Sequence, residues 1–353
     1  MKSAFKISVL LSSLIVCSFS YSQDTTAFDF EAAYKTAVKE YEEFEKTHGH
    51  FFQTSNVDMH YSTWGDSTKN PILWVHGTHS NSTEIIDFVD TLVAKDYYVI
   101  AIEYYGHGLT PIPDKEVSIY HVVDDINELM VHLSIDKIII GGLSRGGIIA
   151  AAFYDQHPTK VTALILEDGG SASFLAARQS MEKTKIEQLY AEMYSSGNDT
   201  TFTSRFEAFS YYYNPRWTDS QYWWFAFLRK NDTDLWALNP NLSKWLGQRG
   251  ENAGVRNIYQ TTQAPLFESS TLLLMPEIVF RNLHVPMLIF DPQKDDENGL
   301  FALTEANKKL KSQHSEFITL KHYPDSNHPV HFDQPERFVV DLLDFLERVK
   351  QVN

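Results

Sequence analysis

The segment Gly142-Leu143-Ser144-Arg145-Gly146 places one hydroxyl side chain between two glycines, each two residues away. An apolar run precedes it and another follows, so a strand is expected to turn into a helix at the serine. Side chains at positions 142 and 146 would collide in so tight a turn, which is why both residues must be very small. The helix that follows would direct its first amides toward developing negative charge. This pattern predicts that Ser144 is a nucleophile.

The elements around this turn follow a regular rhythm. Short apolar runs lie at residues 72–75, 98–102, 138–140, 161–166, 287–290 and 317–320, and helical patterns lie at 118–133, 145–154, 300–310 and 335–349. Continuous apolar strands that alternate with helices indicate a parallel sheet covered on both faces. The sequence therefore predicts an α/β fold, preceded by an amphipathic helix in residues 28–44 and a half-buried strand in residues 57–61.

The strand and helix rhythm stops between residues 169 and 283. This stretch is crowded with aromatic side chains and contains five of the seven tryptophans. We interpret it as a mainly helical cap inserted above the carboxyl ends of the strands, with an apolar roof over Ser144. The expected organisation is a signal peptide in residues 1–22, a core domain in 23–168 and 284–353, and a cap in 169–283.

Three motifs in the same order resemble a known family. Residues 72–77, ILWVHG, resemble the strand and HG dipeptide of α/β-hydrolases, and residues 105–110, YGHGLT, resemble the family's R-G-H-G-x-S loop. Tyr105 and Thr110 replace the arginine and the serine of that loop. With the Ser144 turn, the chain resembles the α/β-hydrolase superfamily, in its serine-nucleophile branch with a helical cap. The resemblance implies the α/β-hydrolase fold, with a mostly parallel central sheet flanked by helices.

A serine hydroxyl needs a base within hydrogen-bond reach. The resemblance implies that this base lies on a late loop, where residues 323–336 resemble the family's G-H-x-x-x-x-x-x-P-E ending and select His328, with His331 as the rival. The resemblance implies that the acid follows strand 287–290. It selects Asp295, with Asp296 and Asp291 as neighbouring alternatives and Asp168, at the end of an earlier strand, as a further one. Structural roles are expected for His76 and His107.

Backbone amides are expected to stabilise the oxyanion of the tetrahedral intermediate. By resemblance, these are the N–H groups of Thr78, just after the HG dipeptide, and of Arg145, just after the nucleophile. The side chain of Arg145 is unusual at this position. We expect it to pair with a nearby acid or lie along the helix, and a contact with a substrate carboxylate is the alternative.

The net charge and the residue spacing argue against nucleic-acid, metal and phosphate-loop sites. The net charge of −16 disfavours nucleic acid as a partner, and a small-molecule substrate is expected. The pairs His76/His79 and His48/His50 lack a convergent third ligand, so no metal is predicted. The segment 141–147 lacks the lysine of a phosphate-binding loop. No cofactor is expected, and the oligomeric state is left open.

The amino terminus has the order of a secretory signal peptide. Lys2 and Lys6 precede an apolar stretch of about ten residues, too short to span a bilayer, and cleavage is expected after Ser22. The only cysteine, Cys17, lies within this segment, and the residue before it is too large for a typical lipoprotein box. We therefore expect an exported enzyme, with no stable membrane insertion after cleavage.

These features together predict an exported serine hydrolase that cleaves carboxylic esters through an acyl-enzyme. The first alternative is an aminopeptidase similar to the prolyl iminopeptidases, for which Glu251, Glu268 and Glu277 are the available acidic residues of the cap. A C–C bond hydrolase and a non-catalytic binding protein of the same fold are further alternatives.

Overall fold

A computed structural model describes residues 28–194, 200–250, 252–294 and 303–352. Its centre is an eight-stranded sheet. The strands are β1 (Gly49–Gln53), β2 (Asp58–Trp64), β3 (Asn70–Val75), β4 (Tyr97–Ile102), β5 (Ile138–Leu143), β6 (Val161–Glu167), β9 (Met287–Pro292) and β10 (Ile318–Tyr323). They lie side by side in the order β1-β2-β4-β3-β5-β6-β9-β10. The pairs β1–β2 and β2–β4 are antiparallel, and all other neighbours in the sheet are parallel. This confirms the α/β-hydrolase fold with a mostly parallel sheet.

Helices cover both faces of this sheet, and apolar clusters lie between them and the strands. The four inner strands β3 to β6 are almost wholly buried, because helices on both sides remove them from water, and this explains their uninterrupted apolar sequences. The helices of the core are α1 (Phe30–His48), α2 (Val89–Val93), α3 (Ile119–His132), α4 (Arg145–Gln156), α13 (Thr304–Gln313), α14 (Val330–Asp333) and α15 (Pro335–Val352).

The segment between β6 and β9 is mostly helical, as predicted, but it also contains a small antiparallel ribbon, β7 (Leu228–Lys230) with β8 (Trp236–Leu238). Three-residue strands are too short for an alternating pattern to appear in the sequence. The helices of this segment are α5 (Phe174–Gln179), α6 (Lys183–Tyr194), α7 (Arg205–Tyr212), α8 (Trp224–Phe227), α9 (Leu242–Trp245), α10 (Ala253–Tyr259), α11 (Leu266–Leu273) and α12 (Pro276–Val279).

The amino-terminal helix α1 packs against this inserted segment as well as against the sheet. Ala37 and Tyr41 belong to an apolar cluster built mainly from residues 202–238 of the insertion. The ring of Tyr34 meets those of Phe209 and Phe225 edge-on, with both centroids 5.6 Å away. Such aromatic pairs stabilise a contact beyond the area they bury. The aromatic residues of the insertion therefore form a core shared with α1.

None of the helices in the described ranges has both the length and the apolar character needed to cross a bilayer. The predicted signal peptide and Cys17 lie outside the described residues.

Candidate active site

Ser144 lies at the tip of the turn between β5 and α4, in a strained conformation with φ 54° and ψ −119°. Such angles are uncommon for a residue with a side chain and persist only where the surroundings enforce them. A Cβ atom added at Gly142 or at Gly146 would overlap the carbonyl oxygen of Val75 in the neighbouring strand. The predicted requirement for glycine at both positions is therefore confirmed. Ser144 is 8% exposed, so the turn removes most of this residue from solvent.

The register of the sheet places an acid directly beside this serine. Leu143, the last residue of β5, pairs with Glu167, the last residue of β6, so Ser144 and Asp168 follow paired positions. The N–H of Ser144 donates to the carbonyl of Glu167 at 2.8 Å, and the N–H of Asp168 donates to the carbonyl of Phe290 at 3.1 Å. Main-chain hydrogen bonds thus fix Ser144 and Asp168 at one edge of the sheet.

His328 reaches this edge from the loop after β10. Its Nδ1 lies 2.5 Å from a carboxylate oxygen of Asp168, and the two side chains are 18% and 1% exposed. The late loop therefore brings His328 to the acid that follows β6. The acid observed at Nδ1 is Asp168, the alternative at the end of the earlier strand. The reason is the register of β5 and β6, which brings the end of β6 to this imidazole. Asp295 and Asp296 lie outside the described residues.

Asp291, the other alternative for the acid, belongs to a separate buried network. Its carboxylate accepts hydrogen bonds from Asn307 at 2.7 Å and Thr304 at 3.1 Å, and it lies 2.7 Å from Nδ1 of His322. Burial raises the pKa of this carboxyl, against the effect of these donors. Asp291 therefore orients β9, α13 and β10 relative to each other rather than His328.

The rival base, His331, is held by the acid that precedes Asp168. Nδ1 of His331 lies 2.7 Å from a carboxylate oxygen of Glu167, and the backbone N–H of His331 donates to the same carboxylate at 2.9 Å. Burial lowers the pKa of His331, but the neighbouring carboxylates, Glu167 above all, outweigh this effect and raise the pKa. Both side chains are fully buried. His331 is therefore held by Glu167 through both its ring and its backbone, whereas His328 is the histidine in contact with Asp168.

The loop after β3 is fixed from below by a buried carboxylate. Glu84 accepts hydrogen bonds from the backbone N–H of Gly77 at 3.0 Å and from the indole N–H of Trp74 at 2.8 Å. Burial raises the pKa of Glu84, whereas these two donors favour its charged form. The position of the Gly77-Thr78 backbone, where an oxyanion donor is expected, is therefore set by a residue outside every recognised motif.

The other motif histidines have the structural roles expected for them. His76 stacks on Tyr104, with centroids 4.4 Å apart, and burial lowers its pKa to about 4. Nε2 of His107 accepts the backbone N–H of His79 at 3.1 Å, and burial holds its pKa well below the usual value. Tyr105, which replaces the family's arginine, donates its hydroxyl to buried Asp125 at 2.5 Å. Among the described residues, no three potential ligands converge on a metal position.

The side chain of Arg145 pairs with an acid, as expected. Its Nη2 lies 2.7 Å from a carboxylate oxygen of Glu268 on α11, and its Nε donates to Oγ1 of Thr78 at 2.9 Å. Arg145 and Glu268 are 6% and 2% exposed, so this is a buried ion pair between α4 and α11 of the inserted segment.

The fold and this arrangement agree with a family model. Residues 70–335 match the model of the alpha/beta hydrolase fold. The chain belongs to this family.

Individual relatives are more distant. A human serine hydrolase-like protein is 31% identical over 121 residues, which is 34% of this chain and 58% of the relative. A second human serine hydrolase-like protein is covered over 38% of its length, so the chain aligns with about half of these relatives. A carboxylesterase of Nitrososphaera gargenis superposes with a TM-score of 0.59 at 19% identity, covering 86% of this chain and 100% of that one. An E-2-(acetamidomethylene)succinate hydrolase gives a TM-score of 0.58 at 17% identity, covering 84% and 100%. These two structures show the shared fold.

Asp168 has a sequence signal of its own. Glu167-Asp168 is a pair of acids at the carboxyl end of the strand that follows the nucleophile helix, and His328 and His331 are three residues apart. The structure matches each acid to one histidine. Two adjacent acids and two histidines three residues apart are therefore the pattern that indicates Asp168. The prediction of Asp295 used only its position in the loop after strand 287–290.

Proposed function

We propose that this hydrolase is a serine esterase that cleaves carboxylic esters of small apolar or aromatic substrates through an acyl-enzyme. The observation that carries the proposal is the contact between His328 and Asp168 at the edge of the sheet where Ser144 lies. A serine in a strained turn, an imidazole and a buried carboxylate form the relay that activates a hydroxyl. The proposed triad is Ser144, His328 and Asp168, in which Asp168 takes the role first assigned to Asp295.

The contact at Nδ1 supports one position for the proton on the imidazole. A carboxylate at Nδ1 of His328 favours the tautomer with hydrogen on Nδ1, which leaves Nε2 free of a proton and able to act as the base. Ser144 Oγ attacks the ester carbonyl carbon while Nε2 accepts its proton. Asp168 stabilises the resulting imidazolium, and it stays ionised throughout.

The two halves of the reaction then use the same groups. The N–H groups of Thr78 and Arg145 donate to the oxyanion, and its collapse expels the alcohol, which takes the proton from His328. A water molecule loses a proton to His328 and attacks the acyl-enzyme, and a second collapse releases the carboxylic acid and restores Ser144 Oγ–H. Removing one donor from an oxyanion hole typically costs a factor of about 10² to 10³ in turnover.

Aromatic rings at the junction of cap and core support an apolar substrate. Phe267 of α11 lies beneath the Arg145 guanidinium at 5.6 Å, and its ring is 4.9 Å from Trp245 and 6.1 Å from Tyr104. These rings pack around the side chain of the residue that follows the nucleophile. Rings in such a place contribute apolar area and shape selection to a binding site.

The same junction disfavours the aminopeptidase alternative. An aminopeptidase of this layout needs an acidic residue of the cap to bind the free amine of its substrate. Glu268 is buried, and its charge is neutralised by Arg145 at 2.7 Å. Glu251 lies outside the described residues. A substrate amine would have to displace a buried guanidinium, which is costly.

The test compares chromogenic substrates with a covalent probe. We expect the purified enzyme to hydrolyse p-nitrophenyl butyrate, to be labelled by a fluorophosphonate, and to lose both properties in Ser144→Ala. Ser171→Ala, a change of another buried serine hydroxyl, is the matched control and should retain them. Faster cleavage of proline p-nitroanilide would support the aminopeptidase instead. Absence of labelling and turnover in the wild type would support a binding protein, and turnover of a vinylogous diketone alone would support a C–C bond hydrolase.

We also propose that the enzyme is exported, on the basis of the charge and hydropathy order of residues 1–22. Amino-terminal sequencing of the protein secreted by, or extracted from the periplasm of, an expressing bacterium is expected to begin at Gln23. Recovery of the intact amino terminus in the cytoplasm would contradict export.

A further inference from the structure

The two proposed oxyanion donors come from segments that are far apart in sequence. Thr78 follows β3, and Arg145 begins α4 after the nucleophile. A hole made of two amides stabilises an oxyanion only while the distance between the amides is held. The structure joins these same two residues directly, because Nε of Arg145 donates to Oγ1 of Thr78 at 2.9 Å.

The guanidinium that makes this link is itself fixed in the cap. Nη2 lies 2.7 Å from the Glu268 carboxylate, and Nη1 donates to Oγ1 of Thr271 at 3.4 Å. Arg145 and Glu268 are almost fully buried, and removing either charge alone would leave the other buried without its partner. The planar guanidinium therefore has one orientation, with Nε directed at Thr78 and the two Nη atoms directed at α11.

We propose that the Arg145 side chain is a positioning residue for the oxyanion hole. It holds Thr78 at a set distance from the nucleophile turn, and Glu268 makes this distance depend on the docked cap. A bound ester therefore finds both oxyanion donors in position only while α11 is packed against Arg145. The inference rests on the proposed esterase function. It also assigns the guanidinium to the protein rather than to a substrate carboxylate.

The first test removes the acceptor without removing the amide. Thr78→Val keeps the branched shape and the backbone N–H but loses Oγ1, and Thr78→Ser restores a hydroxyl. We expect Thr78→Val to lower kcat for a p-nitrophenyl ester by about 10- to 100-fold with KM changed by less than about twofold, because a small misplacement of a donor acts on the transition state. Thr78→Ser should recover kcat to within about threefold of wild type. Thr91→Val, a half-buried threonine of α2, is the matched control and should not change kcat.

The second test removes the charge pair as a unit, so that no single charge stays buried. Arg145→Gln/Glu268→Gln keeps both backbones and should show a loss of kcat similar to that of Thr78→Val. Adding Thr78→Val to this double variant should cost less than about a further threefold, because the contact is already absent. Thermal unfolding of every variant distinguishes a variant that fails to fold from one in which only Thr78 is displaced. If Thr78→Val does not fold, the charge-pair variant still tests the proposal.

The outcomes separate this inference from the proposed function. An unchanged kcat in Thr78→Val would overturn the positioning role. So would a triple variant whose loss of kcat is the product of the losses of Thr78→Val and of the charge-pair variant. In either case an inactive Ser144→Ala would leave the esterase mechanism in place. Full activity of Ser144→Ala would refute the mechanism itself, whatever the Thr78 variants show.

Discussion

A buried charged histidine on β2 gives the sharpest prediction of stability against pH. His60 lies between two carboxylates, 2.8 Å from Glu103 and 3.0 Å from Glu45 of α1, and its side chain is 0% exposed. Burial lowers the pKa of His60, but the two carboxylates outweigh it and raise the value to about 10. Burial raises the pKa of Glu103, and His60 and the surrounding donors outweigh that, lowering it to about 2. This network joins α1 to the loop that carries His107.

The magnitude follows from the difference between the folded and unfolded states. A histidine pKa of 6.5 in the unfolded chain and about 10 in the fold correspond to a stabilisation of about 5 kcal/mol. This value agrees with the cost of removing one partner from a buried ion pair, which is typically about 3–5 kcal/mol. Because the folded pKa is the higher one, this stabilisation is complete below pH 6.5 and decreases as the pH rises toward 10. The Glu103 contribution is present above its unfolded pKa of 4.5 and is lost as the pH falls through about 2.

The perturbation is His60→Gln, measured by urea unfolding followed through tryptophan fluorescence. We expect the variant to lose about 3–5 kcal/mol of unfolding free energy at pH 6 and the gap to wild type to shrink steadily up to pH 10. His314→Gln, a half-buried histidine at the end of α13, is the control and should show little change. A gap between wild type and His60→Gln that is constant from pH 6 to pH 10 would refute a charged His60 in the fold.

Three further predictions concern residues near the site. Gly146→Ala should lower kcat/KM at least about 100-fold, because the new methyl group would overlap the Val75 carbonyl and displace the nucleophile turn. Ester hydrolysis measures this loss, and circular dichroism verifies that the variant is folded. Tyr105→Phe should lower the free energy of unfolding by about 1–3 kcal/mol with kcat unchanged, since buried Asp125 loses a donor; equal stability in urea would contradict this. His331→Gln should destabilise the fold by several kcal/mol yet keep the pH profile of kcat/KM, whereas a shifted profile would indicate that His331 titrates in catalysis.

Periodicity was sufficient for the parallel strands because burial on both faces imposes continuous apolar sequence. The edge strand β1 was not predicted, since its residues are half-buried or exposed and lack that pattern. Ser144 was accessible from sequence because glycine at 142 and 146 is a local steric requirement. The partner of His328 was not, because it depends on the register of β5 with β6, and no local pattern encodes which strand end faces a distant loop. The roles of Glu84 and Glu268 could not be predicted from the sequence either, because each acts through a contact that forms only in the folded chain.

The central claim is that Asp168 orients His328 for proton transfer from Ser144. It is tested most directly by comparing Asp168→Asn with Asp295→Asn in ester hydrolysis at pH 7.5, with folding of both verified. An amide at Nδ1 favours the wrong tautomer, so kcat should fall by about 10³- to 10⁴-fold in Asp168→Asn and by less than twofold in Asp295→Asn. Near-normal turnover of Asp168→Asn together with an inactive Asp295→Asn would contradict the account.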